Sequence, residues 1–283
     1  MSIPLNQRIA LVTGASSGIG EATALRLASM GMVTYAAARR VERMEHLKRH
    51  GIHIVPLDVT DAVSIDACIS TIRHAHGEID VLVNNAGYGS YGAIEDVPLE
   101  EGRRQVEVNL FGLVALTQQV IPHMRKQRWG KILNVTSIGG VQASPYGGWY
   151  HASKFAVEGL SSSLRQELEP FDVDVVLIRP GAIKSEWGGI AEESLLRTSG
   201  HGPYAKAVRS IHDLFTGPTL GELAGEPSVI ADVVAQAVIA KRPKTAYIAP
   251  RKARVMVAIG RWSGSDRLRD RLTRIFMKLP AKM

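Results

Sequence analysis

A tyrosine and a lysine stand four residues apart in the segment Tyr150-His151-Ala152-Ser153-Lys154. On a helix, residues with this spacing lie side by side on one face. A free tyrosine has a pKa of about 10 and is a poor acid–base catalyst at neutral pH, but a neighbouring cation lowers that pKa. The pair therefore predicts a tyrosine that acts as a general acid or base. Either residue alone is more often structural, so the prediction depends on the motifs that accompany the pair.

A glycine-rich segment follows the first apolar run and opens a helical pattern. Glycines at such a junction let the backbone turn tightly and approach a pyrophosphate, which then lies at the positive end of the helix. The spacing is Gly-x3-Gly-x-Gly, and a plain tight turn is the structural alternative. The position between a strand and a helix favours a dinucleotide site. Its contact residues would be Gly14, Ser16, Ser17, Gly18, Ile19 and Gly20.

Two arginines stand at the end of the second predicted strand, where the adenosine ribose of a dinucleotide is expected. An acid there would favour NAD, but this chain has Ala38 followed by Arg39 and Arg40. A guanidinium pairs well with a 2′-phosphate, so we favour NADP(H), with NAD(H) and a solvated basic surface as alternatives. Asp58, followed by Val59, would either accept from the adenine amino group or cap the next helix.

Short apolar runs alternate with longer helical patterns along the first 250 residues. Strands are predicted over 8–13, 33–38, 52–57, 79–83, 131–136, 173–178 and 245–249. Helices are predicted over 19–30, 41–50, 63–76, 99–128, 150–169 and 229–240. Nearly continuous apolar strands separated by helices indicate a parallel sheet that is covered on both faces. We therefore predict an α/β fold, a single-domain Rossmann-type doubly wound parallel sheet of about seven strands, over residues 1–250.

The composition excludes several classes of protein. With 45% hydrophobic and 22% charged residues, the chain is neither disordered nor fibrous. Its apolar runs fall short of the roughly 18 residues that a membrane-spanning helix needs. The sole cysteine, Cys68, cannot form an intrachain disulfide, and the N-terminus shows no signal region. We expect a cytoplasmic protein, and no metal site is predicted.

The net charge of +7 is concentrated in residues 251–283, which form a basic extension. This extension carries ten basic and two acidic residues, whereas residues 1–250 carry 24 basic and 25 acidic ones. Apolar residues recur among its arginines at the spacing of an amphipathic helix, at Leu268, Leu272, Ile275, Phe276 and Leu279. We expect this apolar face to pack on the body or on a neighbouring subunit. Contact with an anionic membrane surface is the alternative, and a nucleic-acid arm is disfavoured because no recognition fold is visible.

Taken in order, the motifs resemble those of the short-chain dehydrogenase/reductase family over about residues 5–250. The motifs are Thr13 to Gly20, Asn84-Asn85-Ala86-Gly87, Asn109, Ser137, the Tyr150/Lys154 pair and Arg179-Pro180-Gly181. Any one of them can occur by chance, but the ordered set is highly specific. Within the family, the chain is similar to the hydroxysteroid- and retinol-dehydrogenase-like branch.

The resemblance implies a role for each motif residue. Tyr150 would be the general acid in carbonyl reduction and the base in alcohol oxidation, and Lys154 would bind the nicotinamide ribose and lower the Tyr150 pKa. Ser137 would donate to the substrate oxygen, and Asn109 would hold a water of the proton relay. The remaining implied cofactor residues are Asn85, Ala86, Gly87, Pro180, Gly181, Ile183 and Ser185.

Two positions depart from the family pattern. Ser185 stands where the family usually has a threonine that bonds the carboxamide. Ser17 stands where NADP-dependent members often have a basic residue, so the NADP(H) prediction depends on Arg39 and Arg40 alone. The resemblance also implies a homodimer or homotetramer through the helices over 99–128 and 150–169.

Residues 139–149 and 182–225 are expected to contact the substrate. The second segment is weakly periodic and rich in Gly, Ser and Glu, so it is predicted as a mobile substrate-loop insertion. Its apolar residues and those of 139–149 predict a hydrophobic ketone or alcohol. They are Val141, Trp149, Trp187, Ile190, Leu195, Leu196, Tyr204 and Leu214. His151 is expected to have a surface or packing role.

A catalytically silent NADP(H)-sensing protein of the same fold is the alternative to an enzyme. Such a protein has no need of a proton relay. The presence of Ser137, Tyr150, Lys154 and Asn109 therefore favours the enzyme.

Overall fold

A parallel sheet of seven strands forms the centre of the structure, a computed structural model that describes residues 4–262 and 265–280. The strands are β1 Ile9–Thr13, β2 Val33–Ala38, β3 His53–Pro56, β4 Val81–Asn84, β5 Gly130–Val135, β6 Val173–Pro180 and β7 Ala246–Ala249. Their order is β3-β2-β1-β4-β5-β6-β7, and every neighbouring pair is parallel. The predicted single-domain α/β Rossmann-type fold is confirmed.

Helices cover both faces of this sheet. They are α1 Gly18–Ser29, α2 Ala62–Ala75, α3 Leu99–Val106, α4 Gly112–Gln127, α5 Gly148–Leu168, α6 Glu186–Ser199, α7 Ala205–Thr216, α8 Pro218–Leu223, α9 Pro227–Ile239, α10 Arg251–Trp262 and α11 Asp266–Phe276. Residues Val41–His50, where a helix is predicted, form a 3₁₀ helix.

Two cores lie on opposite faces of the sheet because successive strand residues point to opposite sides. On β1, Ala10 and Val12 belong to the core shared with α1 and α9, whereas Ile9 and Leu11 belong to the core shared with α2 and α4. All five β1 residues are buried. The continuous apolar runs in the sequence follow from this burial on both faces.

The helical sequence predicted over 99–128 contains an irregular turn. Helices α3 and α4 are joined without a break by a π-helical turn, Glu107–Phe111. Such turns insert one residue into an α-helix and occur frequently at functional sites. Asn109 lies in this turn and is buried.

The segment over 182–225, predicted as a substrate-loop insertion, is mostly helical, because α6, α7 and α8 occupy most of it. Their apolar sides pack together and bury Leu195, Val208 and Ile211. Two serines that made the segment look polar are buried and bonded. Ser194 Oγ accepts from Tyr91 N at 3.1 Å, and Ser199 Oγ accepts from Ala93 N at 2.9 Å.

The C-terminal extension is helical, as predicted. Of the five apolar residues expected to pack on the body or on a neighbouring subunit, Leu279 packs on buried residues of the body, whereas Leu268, Leu272, Ile275 and Phe276 are exposed in this structure. The reason is that the polar side of α11 faces the body, with Arg269 and Thr273 partly buried. Within 4–262 and 265–280, no helix is long and apolar enough to cross a membrane.

Candidate active site

The turn between β1 and α1 leaves no room for side chains. Gly14 has a φ of +64°, and a Cβ there would lie 2.9 Å from the Ala86 Cα. A Cβ on Gly20 would overlap the Gly14 carbonyl oxygen. The bare backbone therefore leads directly into the N-terminus of α1, where a pyrophosphate is favoured by amides and by the helix dipole.

Asn85 and Ala86 fix this turn against the end of β4. The backbone N–H groups of Asn85 and Ala86 both donate to Thr13 Oγ1 at 3.0 Å. The Asn85 amide donates to the Thr13 carbonyl at 2.9 Å and to the Gly14 carbonyl at 3.3 Å. The Asn85 side chain thus holds the glycine turn in place.

A cleft of about 360 Å³ lies at the carboxyl ends of β2 and β3. It is lined by Arg39, Asp58, Thr60, Arg103, Arg104, Glu107 and Val108. Asp58 Oδ1 accepts from Thr60 N at 3.0 Å and from Thr60 Oγ1 at 2.8 Å. The next helix is capped by Asp61, which accepts from Val63 N at 3.0 Å, so the capping alternative for Asp58 is wrong.

The charges in this cleft favour an ionised Asp58. Burial alone would raise the pKa of this carboxyl, but hydrogen bonds from Thr60 and the charges of Arg39 and Arg104 hold it below its ordinary value. Arg104 was not predicted from the sequence. It lies in the middle of a helical pattern, and only the packing of α3 brings it beside Arg39.

Glu186 binds the cations that follow β2. Arg43 Nη1 donates to both carboxylate oxygens of Glu186, at 2.6 and 2.9 Å, and Arg40 Nη2 donates at 3.3 Å. The same Arg40 nitrogen lies 3.4 Å from Ser16 Oγ in the glycine turn. The hydrogen bond from Arg43 is the main cause of a lowered Glu186 pKa. Arg40 and Arg43 therefore connect the cofactor end of the sheet to α6.

The tyrosine–lysine pair lies on the buried side of α5, as its spacing predicts. Lys154 Nζ is 6.0 Å from the Tyr150 ring centroid and donates to the Val135 carbonyl at 2.9 Å. The Ser137 side chain lies near enough to Tyr150 to lower the pKa of the phenol, and its Oγ accepts from Gly139 N at 2.9 Å. The end of β5 thus brings Ser137 to the phenol.

Burial shifts the two pKa values in opposite directions. It raises the pKa of Tyr150 to about 12, although the Ser137 side chain works against this rise. It lowers the pKa of Lys154 to about 8, against the opposing charge of Glu158. The expected lowering of the Tyr150 pKa by Lys154 is not found in this structure, because the ammonium is directed to the Val135 carbonyl. Among the neighbours of Tyr150, the Ser137 side chain is the one that opposes this rise in the pKa.

The Asn109 side chain forms hydrogen bonds with the backbone of Tyr88 and with the side chain of Ser153, which precedes Lys154 of the tyrosine–lysine pair. Its Oδ1 accepts from Tyr88 N at 3.0 Å, and its Nδ2 donates to the Tyr88 carbonyl at 2.9 Å and to Ser153 Oγ at 3.0 Å. Ser153 precedes Lys154 on α5. The side chain of Asn109 therefore holds the backbone after Gly87 against the catalytic helix.

Glu158 is a residue that the sequence reasoning missed. Its carboxylate accepts hydrogen bonds from Arg179 Nε at 2.9 Å and from Arg179 Nη2 at 2.7 Å, and it accepts a third from Thr136 Oγ1 at 2.7 Å. Both members of the ion pair are largely buried. The available signal was spacing, since Glu158 continues the four-residue series of Tyr150 and Lys154. The pair fixes α5 to β5 and β6.

The segment that follows β6 brings Ser185 close to Gly18 of the glycine turn. Gly181 N donates to the Ala249 carbonyl at 2.8 Å, directly after Pro180, and Ile183 forms a bridge with Gly225. Ser185 precedes α6, and its Cβ lies 3.0 Å from the position of a Cβ on Gly18. The structure therefore brings these predicted cofactor residues to one edge of the sheet.

Aromatic side chains surround the Tyr150 phenol. The rings of Tyr91 and Trp187 lie 5.9 and 5.1 Å from that of Tyr150, centroid to centroid. We call the group around them the aromatic cluster. It comprises Tyr91, Tyr146, Tyr150, Trp187, Ala191, Leu195, Leu196, Tyr204, Val208, Ile211, Leu214, Phe215, Met277 and Leu279.

Five of the eight predicted substrate residues belong to this cluster: Trp187, Leu195, Leu196, Tyr204 and Leu214. The other three do not. Trp149 packs on Gly102 of α3, Ile190 is exposed, and Val141 lies outside the cluster. Tyr91 and Met277 were missed because they come from segments distant in sequence.

His151 is buried and supports the loop beside the site. Its Nδ1 lies 2.9 Å from the Gly139 carbonyl, and its Nε2 accepts from Ser144 N at 3.1 Å. The structure thus gives it the packing role. Among the residues that the structure describes, no group of three or more His, Cys, Asp or Glu side chains is placed to hold a metal ion.

A parallel sheet with a glycine turn after its first strand and a buried tyrosine–lysine pair on α5 is typical of the nucleotide-binding α/β oxidoreductases. The chain belongs to the short-chain dehydrogenase family, whose model, described as "short chain dehydrogenase", matches residues 8–194. Members of this family interconvert alcohols and carbonyl compounds, and this chain is an enzyme of that type.

Two curated relatives and one solved structure illustrate the similarity. An NADPH-dependent 3-dehydrocapnine reductase from Ornithobacterium rhinotracheale is 34% identical, over 94% of this chain and 95% of its own. A 3-ketodihydrosphingosine reductase from Bacteroides thetaiotaomicron is 43% identical, but over only 62% of this chain and 64% of its own. An alcohol dehydrogenase from Thermococcus sibiricus, complexed with 5-hydroxy-NADP, is 28% identical with a TM-score of 0.69, over 86% of this chain and 95% of its own.

Proposed function

We propose that the protein is an NADP(H)-dependent ketone reductase that uses Tyr150 as its general acid. The observation that carries this proposal is the buried phenol of Tyr150, whose raised pKa is partly lowered by the neighbouring Ser137 side chain, with Lys154 one helical turn away. A tyrosine with a pKa of about 12 keeps its proton at neutral pH, and donation of that proton is what ketone reduction needs. Oxidation of the secondary alcohol is the reverse reaction and requires the phenolate.

The residues present fit a dinucleotide cofactor. The glycine turn offers bare backbone at the start of α1, and the cleft beside Asp58 accommodates an adenosine end. The nicotinamide, when bound, supplies or accepts the hydride. Gly14, Gly20 and their neighbours in the turn would bind the pyrophosphate, and Ser185 would lie at its nicotinamide end.

Each catalytic side chain would have one task. Tyr150 donates its proton to the ketone oxygen as that oxygen gains negative charge. Ser137 donates a hydrogen bond to the same oxygen and thereby orients the ketone. Lys154 holds the ribose hydroxyls and provides positive charge beneath the phenol. Asn109 would support a proton relay from Lys154.

The preference for NADP(H) is supported by the cations near the end of β2. Arg39 lines the adenosine cleft, and Arg40 lies beside Ser16. Guanidinium groups form paired hydrogen bonds with phosphate oxygens. The relative from Ornithobacterium rhinotracheale is named as NADPH-dependent, and the alcohol dehydrogenase holds an NADP derivative. NAD(H) is the alternative.

The aromatic cluster supports a hydrophobic substrate. Most of its side chains are aliphatic or aromatic, and the Trp187 ring lies 5.1 Å from that of Tyr150, centroid to centroid. Sites of this kind recognise apolar groups by contact, with a few polar groups for orientation. Both curated relatives bear the names of reductases, one of a keto and one of a dehydro compound. We also keep the cytoplasm as the predicted location.

A panel of hydrophobic ketones assayed with NADPH and with NADH tests the proposal. We expect turnover with NADPH, and loss of at least a hundredfold in kcat for Tyr150→Phe, since general acid catalysis contributes about 10² to 10⁴. NADPH binding without any turnover, unchanged by Tyr150→Phe, would instead establish the silent sensor. A second variant, Arg39→Ala, should raise the KM for NADPH much more than that for NADH.

A further inference from the structure

Helix α11 presents an apolar stripe to solvent. Leu268, Leu272, Ile275 and Phe276 lie within about 100° of one another around the helix axis, and all four are exposed. No residue of α11, Asp266–Phe276, is buried. Apolar side chains that are exposed together on one side of a helix are typical of an interaction surface.

The opposite side of α11 faces the body. Arg269, Thr273 and Met277 follow one another at a four-residue spacing; the first two are partly buried and Met277 is buried. A helix stabilised by packing on its own domain would turn its leucines inward. The orientation of α11 therefore leaves the apolar stripe without a partner among the residues that the structure describes.

Cations flank the apolar stripe on both sides. At 100° per residue, Arg269 lies on one side and Arg267, Arg271, Arg274 and Lys278 lie on the other, while Asp266 and Asp270 lie away from the stripe. An open groove of about 650 Å³ follows the more basic side. It is lined by Arg267, Asp270, Arg271, Arg274, Ile275, Lys278 and Leu279.

We propose that this face of α11 docks on the surface of an anionic lipid bilayer. The helix is about 16 Å long, so it lies in the interface with its apolar stripe at the acyl boundary and its arginines among the headgroups. Charge selects this occupant. A second copy of the chain docked through the same face would bring its own five flanking cations against these arginines, whereas anionic lipid neutralises them.

The docking face adjoins the substrate site. Met277 and Leu279, which directly follow α11, pack in the aromatic cluster that contains Tyr150. Arg274 lies close enough to Tyr146 for its charge to counter the rise that burial causes in the Tyr146 pKa. Docking would therefore bring the aromatic cluster close to the bilayer, where an apolar ketone accumulates. This last step depends on the proposed function, but the docking does not.

Flotation of the full-length protein with lipid vesicles tests the docking. We expect binding to vesicles of phosphatidylcholine and phosphatidylglycerol at about 7:3, and no binding to phosphatidylcholine alone. Each of Arg267→Gln and Arg271→Gln should weaken the partition coefficient about fivefold. The double variant Arg49→Gln/Arg242→Gln removes two exposed cations elsewhere and should leave binding close to that of the unaltered protein.

Two isoleucines provide a matched control for the apolar stripe. Ile275 on α11 is 64% exposed, and Ile239 at the end of α9 is 62% exposed. Ile275→Ser should weaken vesicle binding about tenfold, because an apolar side chain no longer enters the interface, and Ile239→Ser should not. The proposal is wrong if the unaltered protein does not bind anionic vesicles, or if Ile275→Ser and Ile239→Ser weaken vesicle binding equally. It is also wrong if Ile275→Ser dissociates a dimer in size-exclusion chromatography while vesicle binding is absent, since a second copy would then cover the stripe.

Discussion

At the residue scale, burial determines the protonation of the catalytic pair. Tyr150 remains a phenol far above neutral pH, whereas Lys154, with a pKa of about 8, changes charge just above it. The spacing of the two residues was visible in the sequence. Their pKa values were not, because desolvation depends on the β5 carbonyl and the aromatic cluster that the fold brings around them.

The pH dependence of ketone reduction follows from these values. Lys154 is charged below about pH 8 and neutral above it. Because the neutral amine no longer provides positive charge beneath the phenol, kcat/KM should be constant below about pH 8 and fall above it. In Lys154→Arg the positive charge persists at all accessible pH values, and the fall near pH 8 should disappear even if the rate is lower. A fall at the same pH in both proteins would show that another group controls it.

Glu186 should decrease the affinity for NADPH. Its carboxylate holds Arg43 and Arg40, which a 2′-phosphate would otherwise bind. Glu186→Gln removes the competing charge, and we expect a KM for NADPH lowered severalfold with the KM for NADH unchanged. Glu226→Gln, which breaks the neighbouring ion pair with Lys184, is the control and should change neither constant. Equal changes for both cofactors in Glu186→Gln would refute the competition.

At the scale of elements, the ion pair between Glu158 and Arg179 joins α5 to β6. Glu158→Gln leaves the Arg179 guanidinium largely buried without its counter-charge, which costs about 3 kcal/mol of unfolding free energy. The exposed pair of Arg26 and Asp232 gives the comparison, because Asp232→Asn should cost less than about 1 kcal/mol. Urea unfolding monitored by circular dichroism measures both. Similar losses in the two variants would contradict a clamping role for Glu158.

Periodicity and glycine placement were sufficient to predict the strands, the order of motifs and the helix that carries Tyr150. They were insufficient for α6 to α8, whose buried serines make hydrogen bonds that no local pattern reveals. The π-helical turn at Asn109 was also invisible, since one inserted residue hardly alters the helical period. The orientation of α11 could not be inferred either, because an amphipathic pattern does not say which face meets the body.

At the scale of the whole molecule, two exposed apolar surfaces suit different partners. One is the stripe on α11, which is flanked by arginines. The other contains Phe111 in the π-helical turn and Phe155 on α5, and these two elements pack together. Exposed aromatic side chains on two elements that pack together favour contact with protein. We propose that this second surface forms the interface of a homodimer or homotetramer.

Substitution of Phe155 tests whether subunit association and vesicle binding use different surfaces. Phe155→Glu places a charge in the subunit interface, so light scattering after size-exclusion chromatography should show a monomer where the unaltered protein is an oligomer. Val63→Glu on α2 introduces the same charge at an exposed apolar position outside this surface and should leave the mass unchanged. Vesicle binding should survive in the Phe155→Glu monomer, although more weakly, because each particle then brings one α11 rather than several to the bilayer. An unaltered protein that is already monomeric would refute the interface, and a Phe155→Glu variant that keeps its mass would place the contact elsewhere.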